Sequence, residues 1–162
     1  MMDAKDTFYI ALRDRLAVVN PERRMLTRGA LRPSVLMEEA EPAATTAAQD
    51  VFLIRWKGLR RERSLSQTLA LMDCEIHYGT AGSALACGLD RGRALAAMDE
   101  ELMQMLEPPR AAAMNYSTTP CSATGNTVFW TEPEMGTTTT TRDVLTRVVK
   151  LTVMAREAEG IQ

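Results

Sequence analysis

Residues 50–57 read Asp50-Val51-Phe52-Leu53-Ile54-Arg55-Trp56-Lys57, and this octet decides the fold class. Val51, Leu53, Arg55 and Lys57 alternate with Phe52, Ile54 and Trp56. Successive side chains of an extended backbone point to opposite faces, and aromatic and β-branched residues suit that backbone. The octet is therefore predicted to be a half-buried strand, ended by Gly58. Upstream, residues 34–39 follow Arg32-Pro33 as a shorter strand, and residues 42–49, rich in Ala and Thr, are expected to be a mobile loop. Downstream, residues 59–66 carry Arg60, Arg61, Glu62 and Arg63 and are expected to be a polar connection. A third strand is predicted over 67–78. One of its faces presents Ala70, Met72, Cys74, Ile76 and Tyr78; the other starts with Leu69 and Leu71 and turns polar at Asp73, Glu75 and His77. Residues 34–78 thus read as an antiparallel meander with one covered face.

Outward from this meander the apolar spacing becomes helical. Phe8, Leu12, Leu16 and Val19 form one stripe of a first helix that Asp3 or Asp6 can cap; Arg13, Asp14 and Arg15 lie largely off the stripe. Asn20-Pro21 ends it, because proline biases its predecessor away from the helical region. Residues 22–34 are basic and are expected to be irregular. On the other side, Gly79, Gly82 and Gly88 punctuate a loop that leads to Asp90, a candidate cap. Leu95, Met98, Leu102, Met105 and Leu106 mark the buried stripe of a second helix, Asp99, Glu100 and Glu101 its solvated side, and Pro108-Pro109 its end. Residues 110–126 are expected to be a long surface loop, 126–132 a strand around Val128, Phe129 and Trp130, and 132–136 a turn. The threonine run 137–141 reads as a loop or fraying edge. A long last strand spans 143–157, with Val149, Leu151, Val153 and Ala155 opposite Lys150, Thr152, Met154 and Arg156. The order α-β-β-β-α-β-β predicts one α+β domain over residues 1–162: an antiparallel, at most mixed, sheet of about five strands with two helices on one face.

The 162 residues, 46% apolar and 25% charged, are enough for a core that needs no disulfide or metal. A net charge of −2, from 19 basic and 21 acidic side chains, supplies no global field to concentrate nucleic acid. Cys74, Cys87 and Cys121 are odd in number and widely spaced, which fits neither a secreted disulfide framework nor a zinc cluster. The polar, acidic start lacks the apolar stretch of a signal peptide, and no 18-residue apolar run follows. The expectation is a cytoplasmic chain without a membrane span.

Little in the sequence carries chemistry. The glycine-rich stretch 79–88 precedes a helix start, where an anion can sit, but lacks the Lys-Ser/Thr pair and the spacing of a phosphate or dinucleotide loop. His77, the sole histidine, shares a strand face with Glu75. The pair allows a general base oriented by a carboxylate, or simply a solvated histidine at a strand end. One histidine among scattered carboxylates gives no metal-ligand spacing. No catalytic, cofactor or metal site is expected. Arg60, Arg61 and Arg63 are the candidate contact residues, able to grip a phosphate or a partner's carboxylates, or else to coat a solvated hairpin tip. Trp56 and Trp130 read as core or interface anchors.

The helix over residues 8–19, the strands around 51–56 and 69–78, Asp90-Arg91-Gly92-Arg93-Ala94-Leu95 and the closing strand 148–156 together resemble the tail-terminator or tail-completion proteins of long-tailed phages and prophages. The resemblance lies in architecture along most of the chain, not in a short motif. It implies a non-catalytic α+β subunit that forms a homo-oligomeric, possibly hexameric, ring. Such a ring caps the tail tube and joins it to the head connector, so the implied partners are sister copies, tail-tube protein and connector protein. It also implies a place in the virion tail as well as the host cytoplasm. The chain departs from the pattern in its Ser/Thr-rich segment before Trp130 and its threonine run after it. Two other readings stand beside this one: a dimeric α+β module that binds a small ligand or peptide, and a small hydrolase or transferase that uses His77 with Glu75.

Overall fold

The structure, a computed structural model, describes residues 2–40, 49–64 and 66–157. Helix α1 (Met2–Val19) leads to a hairpin, β1 (Arg24–Thr27) and β2 (Ala30–Pro33), and then to β3 (Val35–Met37), β4 (Phe52–Ser64) and β5 (Gln67–Thr80). Helix α2 (Arg91–Met105) follows, then β6 (Arg110–Asn115), β7 (Ser122–Trp130), β8 (Glu134–Met135), β9 (Thr139–Thr141) and β10 (Val144–Arg156). The class is α+β, but the sheet is larger than expected. It is mixed and eight-stranded, ordered β3-β4-β5-β10-β7-β6, with β8 and β9 also paired to β10. Among the described residues only β3 and β4 run parallel.

The extra strands arise where alternation fails as a signal. Gly58 does not end β4. The register slips between Trp56 and Gly58, a bulge that takes one extra residue into the ladder, and pairing resumes to Ser64↔Gln67. Residues 59–64 are exposed on both faces, so they need no apolar period, and the expected connection is half of a long hairpin. Residues 110–126 are not a loop, since β6 and the start of β7 occupy much of them. Three consecutive alanines gave β6 no visible period. Its outer edge takes partners from α1: the Met114 N–H donates to Thr7 Oγ1 (3.1 Å) and Arg15 donates to the Arg110 carbonyl (2.7 Å). The turn at 132–136 and the threonine run contain β8 and β9. The free edge of the 13-residue β10 must satisfy its backbone along its length, and β7, β8 and β9 do so in succession at residues 153–155, 149–150 and 144–146. The irregular stretch at 22–34 is the β1–β2 hairpin, whose Arg28-Gly29 turn has both residues at positive φ (51° and 80°), as a two-residue hairpin turn requires. The loop expected at 42–49 lies, but for its last residue, outside the described residues.

The core forms where the two periods meet. Phe8, Leu12 and Leu16 of α1 and Leu95, Met98, Leu102 and Met105 of α2 join Ile54, Met72, Cys74, Ile76, Tyr78, Val149, Leu151 and Val153 in one buried cluster. These strand residues are the alternate positions read from the sequence. Phe8 is wholly buried and meets the rings of Trp56 and Trp130 edge-on, with centroids 5.7 and 5.1 Å away. Trp130 anchors the end of α2, donating from Nε1 to the Leu106 carbonyl at 2.9 Å. Among the described residues no helix is long and apolar enough to cross a membrane.

Candidate functional site

Burying the even-numbered side chains of β5 turns its odd-numbered ones to the opposite face, together with their neighbours on β4 and β10. Register sets these into rows. Leu71, Met154 and Phe129 lie side by side, then Asp73 beside Thr152, then Lys150 between Glu75 and Glu134, then His77 beside Val148. The face is apolar at the row through Met154 and charged above it. An open groove of 380 Å³ runs over the charged rows, lined in part by Asp73, Glu75, Glu132, Glu134 and Lys150.

His77 and Glu75 do meet here. His77 Nε2 lies 2.7 Å from Glu75 Oε2, and this hydrogen bond, helped by Lys57 and Lys150, holds the Glu75 carboxyl below its ordinary pKa. A base needs a group to deprotonate. Cys74 is adjacent in sequence but faces the core, where burial pushes its thiol far up and keeps it protonated. A smaller cleft of 200 Å³ beside His77, walled by Leu53, Gly79, Val144 and Val148, holds no hydroxyl or thiol nucleophile apart from Thr146 and Tyr78. Tyr78 is committed elsewhere: its hydroxyl donates to Asp99, and burial raises its pKa well above the usual phenol range. Among the described residues no three His, Cys, Asp or Glu side chains converge as metal ligands.

The carboxylates of α2 correct the sequence reading. Asp99 and Glu101 are not simply solvated. Arg147 grips Asp99 through Nε (2.8 Å) and Nη2 (3.0 Å), and Glu101 accepts from Asn20 (2.7 Å) and from Arg23. These contacts tie α2 to β10 and to the chain leaving α1, and spacing within α2 alone held no trace of them. Asp90 starts α2 but makes no side-chain cap; its carboxylate accepts from the Ser83 N–H at 2.8 Å, which lowers its pKa. A carboxylate at that helix start disfavours a phosphate there.

Arg60, Arg61 and Arg63 lie on the outer half of β4. Arg60 pairs with Asp73 (2.9 Å) and Arg61 with Glu157 (3.0 Å), so two of the three are engaged within the chain, while Arg63 is exposed.

More telling are apolar side chains left in water at the opposite end of the molecule. Leu26 and Leu31 face each other across the β1–β2 hairpin, 70% and 63% exposed; Val18 precedes it at 82%. In the loop after β5, Leu85 and Leu89 are 100% and 91% exposed. The hairpin and this loop share one end, because Arg23 reaches Asp50 (3.9 Å) and the Asp50 N–H donates to the Gly79 carbonyl (2.8 Å). The hairpin escaped sequence reading because a two-residue turn between short basic strands shows little period. Its Arg-Gly turn was the available signal. No known family model matches the chain, and no curated protein does.

Proposed function

We propose that this chain is a non-catalytic structural subunit of a phage or prophage tail, similar to the tail terminator that closes the tube as a ring and joins it to the head connector. The observation that carries the reading is the cross-strand pair Leu26 and Leu31, left exposed side by side on the β1–β2 hairpin, with Val18, Leu85 and Leu89 exposed as well. Adjacent large apolar side chains left in water, such as this pair, suit a surface that other protein covers. The second support is the face of the sheet opposite the helices, whose rows of apolar and charged side chains lie open. Two unlike surfaces on one subunit are what a ring requires, since each copy meets its neighbours through different patches. Static light scattering across a concentration series tests it. The expected result is a closed species of about six copies. A chain that stays monomeric up to the highest soluble concentration overturns the reading.

The alternative of a ligand-binding module draws on the cleft beside His77. Its 200 Å³ falls below the roughly 300–1,000 Å³ of small-molecule pockets, and the 380 Å³ groove over the charged rows, though within that range, is open and lined mainly by charged and polar side chains rather than the apolar walls of such pockets.

A further inference from the structure

We draw no further inference here: the strongest candidate, the surface patch on the β1–β2 hairpin where Leu26 and Leu31 lie exposed side by side, is an unpartnered apolar face, and nothing in the structure shows what covers it.

Discussion

Replacing Asp99 with alanine removes one acceptor from two donors at once. The Tyr78 hydroxyl, on a side chain only 3% exposed, loses its partner, and Arg147 loses a two-pronged ion pair at 2.8 and 3.0 Å. A stranded buried hydroxyl costs about 1–2 kcal/mol, and a lost charged hydrogen-bond pair about 1.5–3 kcal/mol. The Arg147 and Asp99 side chains are 18% and 22% exposed, and Arg147 keeps its bond to the Gly136 carbonyl, so water and that bond recover part of the loss. A net destabilisation of about 3 kcal/mol is expected, or roughly 6–12 °C in Tm for a chain of this size. Asp99→Asn retains an acceptor for Tyr78 and loses only the charge, so about 1–1.5 kcal/mol is expected. Urea unfolding followed by tryptophan fluorescence, at one fixed protein concentration, measures both. Combining Asp99→Ala with Arg147→Ala should be sub-additive by at least about 1 kcal/mol, the mark of a direct pair. An Asp99→Ala variant within about 0.5 kcal/mol of the unaltered chain would behave as an ordinary surface position and refute the network.

Phe8→Ala empties the space between Trp56 and Trp130 and should cost about 3–5 kcal/mol in the same assay; a loss below about 1 kcal/mol would mean the two tryptophans do not pack on that ring. Gly136→Ala would put a Cβ 2.3 Å from the Val148 carbonyl oxygen, a backbone atom with little room to shift, and should cost about 1–3 kcal/mol as β8 parts from β10; unchanged unfolding would contradict that close approach. Because Glu75 has a lowered pKa in the folded chain, its stabilisation is complete above its unfolded value, near pH 4.5, and disappears as pH falls through the lower folded value. Glu75→Gln should therefore flatten the acid limb of the stability profile below about pH 4.5; a limb of unchanged steepness would contradict the His77 contact.

What the sequence discloses depends on whether one side of an element is buried. Where β5 and β10 press one face on the helices, the period of two picks out Met72, Cys74, Ile76, Val149, Leu151 and Val153, all of them buried. The stripes on α1 and α2 are as plain for the same reason. Elements exposed on both faces, such as the outer half of β4, carry no such contrast. Neither does Ala-rich β6, whose edge is satisfied by Thr7 and Arg15 from a helix about a hundred residues away. The candidate site was legible only in part. Arg60, Arg61 and Arg63 were visible as a cluster, but the carboxylates Asp73 and Glu157 that engage two of them come from other strands. The exposed leucines were invisible, because Leu26, Leu31, Leu85 and Leu89 look like core residues until the fold leaves them outside. An exposed leucine is a tertiary fact, and no local pattern records it.

Self-assembly through two unlike surfaces is the claim from which the functional reading follows, and negative-stain electron microscopy of the concentrated chain examines it directly. Closed rings of uniform diameter are the predicted result. Isolated particles of single-subunit size at every concentration, or face-to-face pairs, would contradict it.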